Sequence, residues 1–198
     1  MKTGSLVALM VAALLACAPA SAADISGWAV RAVTYRGAVA PLIAAAERGN
    51  PAAQAKLGFL YATGRNVPQN NTLACYWYRR GAEQGNAAAQ AKLGFLYATG
   101  RNVPQNYTLA AYWYRRGAEQ GNAAAQHLLG LTYDKGFGVP PDYVLAYMWL
   151  NLAAARTRGD VHEDNIRLRD AVAGKISLGQ LADAQQLAAV WYPKPERF

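Results

Sequence analysis

Hydrophobic positions recur along the chain at helical spacing, and the whole pattern repeats every 36 residues. In the first copy, apolar side chains return every three or four positions, which predicts a helix from Ala52 to Thr63, here called helix A. Gly64 follows at the position where many helices end in the left-handed conformation. Asn70 is then a suitable N-cap for a second helix. A repeated unit of two helices predicts a stacked repeat architecture.

The second helix of the unit, helix B, is predicted from Asn71 to Gln84. Its expected inner side is formed by Leu73, Ala74, Trp77, Tyr78 and Ala82. One hairpin of helices A and B cannot bury both faces, so the tryptophan of each copy should pack between neighbours. These tryptophans are Trp77, Trp113 and Trp149. A glycine inside each helix A (Gly58, Gly94 and Gly130) predicts close helix contact, because glycine there costs about 1 kcal/mol relative to alanine.

The repeat pattern divides the chain into six segments. They are a signal peptide (1–22), a lead with a degenerate half-repeat (23–51), three repeats (52–87, 88–123 and 124–159), and a C-terminal two-helix cap and tail (160–198). Terminal units of such arrays are atypical because they cap the stack. The half-repeat is therefore predicted to form only a short helix, from Ala40 to Glu47, with Pro41 in its first turn.

The third repeat is more apolar at the end of its helix B than the two before it. Leu150, Asn151 and Leu152 stand where the second repeat has Tyr114, Arg115 and Arg116. We therefore expect the C-terminal segment to pack there as two helices, Asp160 to Ala173 and Leu178 to Trp191. Ser177 and Gln180 form a capping box for the second of these.

The last helix is predicted to be amphipathic. Its expected apolar side is Leu181, Ala184, Gln185, Leu187, Ala188 and Trp191. Beyond it, Pro193, Pro195 and the final residues should be frayed, since chain ends are poorly ordered unless they are held by contacts.

The first residues resemble an export signal and are not expected to belong to the fold. Leu6 to Ala16 is an apolar run that is too short to span a bilayer. Ala20-Ser21-Ala22 then provides a cleavage site of small residues, which favours cleavage before Ala23. An alternative is a lipobox at Leu14-Leu15-Ala16-Cys17, which would lipidate Cys17. We expect a periplasmic or secreted protein, or, under the alternative, one anchored to the envelope by lipid.

Cysteine is sparse, because the chain contains only two. If Cys17 leaves with the signal, Cys75 remains alone and stability must come from packing. Cys75 stands at the position of Ala111 in the next repeat, so a small buried hydrophobe is the favoured interpretation. A disulfide between two molecules is the alternative.

The chain is basic, with a formal net charge of +8. Export argues against nucleic acid as the partner. Anionic envelope polymers, lipid headgroups and acidic proteins remain, and so does a merely solvated surface. Contact with a membrane is expected only if Cys17 is lipidated. Part of the charge is a basic ladder on the B helices, formed by Arg79, Arg80, Arg115 and Arg116.

The titratable side chains show no catalytic pattern, and we predict no catalytic residue, metal or cofactor. Most polar groups occur twice in equivalent settings, as Glu83 and Glu119 do, which suits an extended ligand better than one reaction centre. His127 and His162 occur once each, but their spacing matches no metal motif. We interpret both as solvated or hydrogen-bonded locally. Motifs of serine hydrolases and phosphate-binding loops are absent from the sequence.

The repeat positions resemble the Sel1-like repeat, a relative of the tetratricopeptide repeat. They are Ala53, Leu57, Gly58, Tyr61, Gly64, Val67, Ala74, Trp77, Tyr78, Ala82, Gly85, Asn86 and Ala89, with the same set 36 residues on. The segment from Tyr147 through Gln185 resembles the C-terminal cap of bacterial members. The resemblance implies an all-α fold, a right-handed α-solenoid of stacked antiparallel helical hairpins, that serves as a protein-interaction scaffold.

One branch of that family is secreted, is rich in cysteine and has been credited with penicillin binding and hydrolysis. Its members carry paired cysteines in each repeat, and this chain does not. The resemblance therefore does not imply that activity here.

Related solenoids bind ligands on the inner, concave curve made by the A helices. The candidate partner-binding residues are Lys56, Phe59, Thr63, Lys92, Phe95, Thr99, Leu131 and Lys135. Phe59 and Phe95 are the strongest candidates. Ordinary core between repeats is the alternative for both, because large apolar side chains are usually buried.

These observations predict a non-enzymatic exported scaffold that binds a protein or peptide on its concave face. The alternative is a protein that binds a cell-envelope polymer, such as peptidoglycan or an anionic glycan, through the basic ladder. A hydrolase acting on a wall peptide or a β-lactam is the least favoured.

Overall fold

A computed structural model describes residues 39–195 of the chain. The predicted signal sequence and Cys17 lie outside these residues. Nine helices are present in the described part, and it contains no strand. They are α1 (Ala40–Glu47), α2 (Pro51–Thr63), α3 (Asn71–Glu83), α4 (Ala87–Thr99), α5 (Tyr107–Glu119), α6 (Ala123–Lys135), α7 (Tyr143–Ala154), α8 (Asp160–Ala173) and α9 (Leu178–Val190).

Three consecutive hairpins form the body of the stack. They pair α2 with α3, α4 with α5, and α6 with α7, and each B helix also packs on the A helix of the next hairpin. This arrangement confirms the predicted all-helical stack of hairpins.

Side chains at the helix starts set the hairpin boundaries. The A helices are capped by Asn50, Asn86 and Asn122, each of which accepts a backbone N–H at 2.9 Å. The B helices are capped in the same way by Asn70, Asn106 and Asp142. Each A helix ends at a left-handed glycine, such as Gly64 with φ 69°. Because every unit carries the same stop and start signals, the hairpin geometry repeats with the sequence.

The glycine inside each helix A allows helix B to approach closely. A Cβ on Gly58 would lie 2.8 Å from the ring of Tyr78, and one on Gly130 would lie 2.7 Å from Cγ of Leu150. Both distances are shorter than a real Cβ contact, so the predicted close helix contact is confirmed. Burial raises the pKa of Tyr78 to about 12, so its phenol stays neutral near pH 7.

A buried glutamine near the start of each helix A links successive hairpins. Gln90 Nε2 donates to Ala82 O at 3.1 Å, and its Oε1 accepts from Gln120 Nε2 at 2.8 Å. Gln54 makes the equivalent pair of bonds. Gln126 Nε2 also donates to the preceding helix B, but its Oε1 has no hydrogen-bond partner among residues 39–195. Among the described repeats, only the third has a glutamine whose amide nitrogen is hydrogen-bonded while its amide oxygen is not.

The residue that would complete the third bridge is Arg156, at the position of Gln120. Its guanidinium lies over the ring of Trp191, 4.6 Å from the centroid, and donates to Leu152 O at 3.1 Å. Arg156 therefore contacts Trp191, after the last helix of the cap, and not Gln126.

The cap consists of α8 and α9, and both pack on α7, as predicted from the apolar end of that helix. Asn151 Oδ1 accepts from Arg169 at 3.2 Å, and Leu152 is buried beneath the cap helices. On α9, Ala184 and Ala188 are buried, as expected. Gln185 and Leu187 are exposed, so their placement on the inner side was wrong. The small alanines let α9 lie close to α7, which leaves its flanks in solvent.

The expectation of a frayed tail was wrong for the described part of it. The Lys194 backbone N–H donates to Glu119 O at 2.8 Å, and Pro193 approaches Gly121. The segment after α9 therefore runs back to the end of α5 and ties the cap to the second repeat.

Cys75 is 1% exposed, in agreement with the expected burial. It is disulfide-bonded, and the described residues include no free cysteine. The expectation of a lone buried thiol, which assumed that Cys17 leaves with the signal, does not hold in this structure. Within residues 39–195, no helix combines the length and apolar character needed to cross a bilayer.

Candidate functional site

The A helices form the inner side of the stack. Successive A helices, α2 with α4 and α4 with α6, pack directly against each other, whereas successive B helices make at most marginal contact. Helices that approach more closely on one side curve the stack toward that side. We call the exposed residues of α2, α4 and α6 the A-helix face.

Phe59 and Phe95 lie on this face and not in the core. Each ring is 37% exposed, although neighbouring residues of the same helices are fully buried. The guanidinium of Arg65 lies 5.6 Å from the Phe59 ring centroid, and that of Arg101 lies 5.7 Å from Phe95. Each repeat thus presents an aromatic ring bordered by a cation, a pair of groups that can contact an apolar or anionic ligand.

Thr63 and Thr99 are exposed at the ends of α2 and α4. Their hydroxyls donate to the carbonyl oxygens of Phe59 and Phe95, both at 2.8 Å. The hydroxyl hydrogens are therefore used inside the helix, and only the oxygen lone pairs remain for a ligand.

A groove of about 360 Å³ lies between α2 and α4. Its walls are small residues and lysine stems, and the buried ring of Tyr78 is at its floor. The lining residues are Ala52, Ala55, Lys56, Phe59, Tyr78, Asn86, Ala88 and Lys92. Apart from the two lysines, which are exposed, none of these side chains is ionisable near pH 7. The groove is therefore apolar inside and cationic at its rim.

The equivalent junction between α4 and α6 carries a leucine in place of the second lysine. Leu128 stands at the position of Lys92 and packs against the core. Leu131 replaces the exposed phenylalanine and is half-buried. Three of the candidates line the groove, namely Lys56, Phe59 and Lys92, whereas Thr63, Phe95, Thr99, Leu131 and Lys135 do not.

Lys135 belongs to a charged cluster around Asp134. Its Nζ lies 2.9 Å from Asp134 Oδ2, and Lys175 of the α8–α9 connection donates to Oδ1. Burial alone would raise the pKa of Asp134, but hydrogen bonds from Lys175 and Lys135 outweigh it and lower the pKa. The cluster fastens the cap to α6, so Lys135 has a structural contact that the sequence did not indicate.

The basic ladder is largely engaged within the protein. Arg79 pairs with Glu83 at 3.2 Å, and Arg80 donates to the Tyr76 hydroxyl at 3.0 Å. Arg115 donates to the hydroxyl of Tyr133 in the next repeat at 2.6 Å. The Arg115 contact joins two repeats, whereas these contacts of Arg79 and Arg80 lie within α3, and this engagement weakens the argument for a polymer-binding ladder.

The two histidines are hydrogen-bonded, as expected. His127 Nδ1 lies 2.8 Å from Asn165 Oδ1, and because the Asn165 amide nitrogen donates to Val161 O, this oxygen accepts. His162 Nδ1 donates to Ala154 O at 2.9 Å. Both bonds join α8 to the third repeat, so each histidine has a structural use. No group of metal-binding side chains is present among residues 39–195.

Sequence reasoning missed several residues of the face. Arg65 and Arg101 recur at the same offset from each phenylalanine, and this register could have indicated them. A second exposed aromatic feature was also missed: Tyr107 stacks on Phe137, with ring centroids 4.9 Å apart. Tyr107 is one of the two positions at which the second repeat differs from the first. This difference was the only feature of the sequence that could have indicated the stacked pair.

Comparison with known sequences identifies the repeats. The pattern of the Sel1 repeat matches residues 51–86, 87–122 and 123–157. No functionally curated protein is similar enough to the chain to count as a match.

Solved structures with the same architecture include a Sel1 repeat protein from Oxalobacter formigenes. It is 41% identical, with a TM-score of 0.57, over 66% of this chain and 96% of that one. Another is a protective antigen present in uropathogenic Escherichia coli strains, which displays an SLR fold. It is 30% identical, with a TM-score of 0.51, over 76% of this chain and 39% of that one.

Proposed function

Because the chain belongs to the Sel1 repeat family, we propose that it is an exported, non-enzymatic scaffold that binds a protein or peptide partner on the A-helix face. Proteins of this family are generally protein-interaction scaffolds, and the fold is typically non-enzymatic. The export signal read from residues 1–22 supports a periplasmic or secreted location, and lipidation of Cys17 is the alternative.

The observation that carries the proposal is the exposure of Phe59 and Phe95. Two identical rings stand in equivalent positions of adjacent helices, each 37% exposed, and Phe59 borders the groove between α2 and α4. Large apolar side chains that stay exposed in register along a solenoid face are typical of a surface used for recognition.

The test is photocrosslinking of the intact protein in its native envelope. A photoreactive phenylalanine analogue at Phe95 is expected to trap a discrete partner, which is identified by mass spectrometry. The same analogue at Leu187 is the matched control, because that side chain is also apolar and is 41% exposed, but lies on α9. A Phe59→Glu/Phe95→Glu variant should lose the partner. Equal crosslinking at both sites, or full recovery of the partner by this variant, would refute the proposal.

The location and the processing are tested on the same material. Intact mass of the mature protein distinguishes a chain that begins at Ala23 from one that begins at a lipidated Cys17. Export would be refuted if the protein were recovered only from the cytoplasm with its N-terminal segment uncleaved, beginning at Met1 or, after removal of the initiator methionine, at Lys2.

The alternative function, binding of an anionic envelope polymer, predicts a strong dependence on salt. Co-sedimentation with purified cell wall would then fall as the ionic strength rises, because charge-driven contacts are screened. Sedimentation that does not change with salt counts against it.

A further inference from the structure

We propose that the groove between α2 and α4 binds an acidic segment of the partner protein. An apolar side chain of that segment enters the groove, and carboxylates on either side of it contact Lys56 and Lys92. The inference rests on the proposed scaffold function and specifies the chemistry of its partner.

The charge around the groove carries the first step. Between residues 51 and 69 the only charged side chains are Lys56 and Arg65, and between 87 and 105 they are Lys92 and Arg101. All four are cationic, and all four are exposed. No carboxylate of these two segments balances them, so the field over the groove attracts an anion.

The groove itself carries the second step. It is lined mainly by alanine and aromatic carbon, and its volume of about 360 Å³ accommodates a leucine or phenylalanine side chain. Asn86, the N-cap of α4, also lines it, and the N-terminal end of a helix adds partial positive charge there. An apolar interior with a cationic rim fits a segment that alternates a hydrophobic anchor with acidic residues.

The third repeat provides an internal comparison. Leu128 replaces Lys92 there, Leu131 replaces Phe95 and Phe137 replaces Arg101. The change at Leu128 lies at the α4–α6 junction itself and replaces an exposed lysine by a half-buried side chain that packs against the core. The pair of lysines that borders the groove between α2 and α4 is therefore not repeated between α4 and α6.

A competing ligand is an anionic wall polymer, which offers charge without an apolar anchor. Such a polymer would use the lysines and leave the groove empty. The two ligands are distinguished by whether binding depends on the anchor side chain.

Fluorescence anisotropy with short labelled peptides tests the inference on the full mature protein. The probe is an unstructured peptide of Gly, Ser and Glu with one central Phe. Two matched peptides carry Lys in place of each Glu, or Ala in place of Phe. We expect the probe to bind, the Lys peptide to bind roughly tenfold or more weakly, and the Ala peptide roughly fivefold or more weakly.

The protein variants are chosen so that folding is retained. Lys92→Leu introduces the residue found at the same position of the third repeat, and it should fill the groove and weaken the probe about fivefold or more. Lys56→Gln/Lys92→Gln removes the charge while leaving the groove open. Arg167→Leu is the control for charge, since its side chain is 76% exposed and lies on α8, which contributes no residue to the groove. Circular dichroism confirms that each variant is folded.

The outcomes separate the proposals. Equal affinity for the three peptides, or equal effects of Lys92→Leu and Arg167→Leu, overturns the inference. Binding of purified anionic glycan that Lys92→Leu weakens, without binding of the Phe probe, overturns it in favour of a polymer. If the probe fails but Phe95 still crosslinks to a protein, the scaffold function stands and only its acidic partner is refuted.

Discussion

Repeats two and three have the same helical hairpin but different neighbours. In repeat two, the groups that repeat one also carries, such as Lys92 and Phe95, are exposed and make few contacts that hold the chain together. In repeat three, the replaced residues contact the C-terminal cap. Asn151 accepts from Arg169, and Asp134 binds Lys175.

The difference between repeats two and three shows which residues change when a repeat stands last in the stack and must contact the C-terminal cap. Two departures of repeat three, Asn151 and Asp134, are explained by contacts with α8 and with the connection between α8 and α9. The groups kept identical on the A-helix face of repeats one and two have no such explanation within residues 39–195. A surface that the fold does not require is available for a partner, and this contrast supports the proposed function.

The largest effect is expected from exchanging one residue between the two repeats. Leu152→Arg places the residue of repeat two into the buried contact between α7 and the cap. An unpaired charge there should destabilise the protein by about 3 kcal/mol. Urea unfolding followed by circular dichroism measures the change in the free energy of unfolding.

The reverse exchange is the control. Arg116→Leu removes a guanidinium that lies over the Trp113 ring, 5.1 Å from the centroid, at the half-exposed surface of α5. The guanidinium also donates to the Tyr112 hydroxyl at 3.3 Å, so the cost should be about 1–2 kcal/mol, below that of the unpaired buried charge. Equal costs for the two exchanges would mean that the cap does not distinguish the repeats.

A smaller effect is expected at Asp134, where the first two repeats have Ala62 and Ala98. Asp134→Ala removes the hydrogen bonds from Lys175 and Lys135, and we expect a loss of about 1.5–3 kcal/mol near pH 7. The matched control is Asp164→Ala, whose carboxylate is in an exposed pair with Arg167 and should contribute at most about 1 kcal/mol.

The effect of Asp134→Ala should depend on pH. The pKa of Asp134 is lowered in the folded protein, so its contribution is complete above the unfolded value of about 3.9. The contribution is lost as the pH falls through the lower folded pKa. Unfolding measured from pH 7 into this acid range should therefore show the variant and the wild type converging. A gap that stays constant would contradict the role of the carboxylate.

Much of the fold could be predicted from the sequence because its signals are local and repeated. Asn70 and Gly64 mark helix ends wherever they recur, and the half-repeat helix was predicted from Ala40 to Glu47, as the structure has it. The capping box of Ser177 and Gln180 likewise located the start of α9. Each of these signals depends on residues within one turn of helix.

Contacts between distant segments could not be predicted in this way. The pairing of Lys194 with Glu119 uses backbone groups, which carry no sequence signature. The contact between the Arg156 guanidinium and the Trp191 ring depends on where the end of α9 lies in the folded protein. For the candidate site, the sequence showed that Phe59 and Lys56 recur in the next repeat. It did not show the groove beside them, because the groove forms between helices of two different repeats.

The glutamine bridges give a third test of the difference between the repeats. Gln90→Met removes the buried hydrogen bond from its Nε2 and the partly buried one to its Oε1. Gln126→Met removes only the one from Nε2, because its Oε1 is already without a partner in the described structure. Gln90→Met should therefore cost about 1 kcal/mol more. Urea unfolding of the two variants side by side measures the difference, and equal losses would show that Arg156 supplies the missing bond in solution.

The smallest effect on stability is expected at Phe95, and it bears most directly on function. Phe95→Leu introduces the residue of repeat three at a ring that is 37% exposed, so the free energy of unfolding should change by about 0.5 kcal/mol or less. The same substitution should weaken binding of the acidic Phe probe less than Lys92→Leu does, because Phe95 lies on α4 three residues beyond Lys92 but does not line the groove. Leu131→Phe, the reverse exchange, is the control and should leave probe binding unchanged, since α6 contributes no residue to the groove. A large loss of stability in Phe95→Leu would mean that the ring is core, and its exposure would then say nothing about a partner.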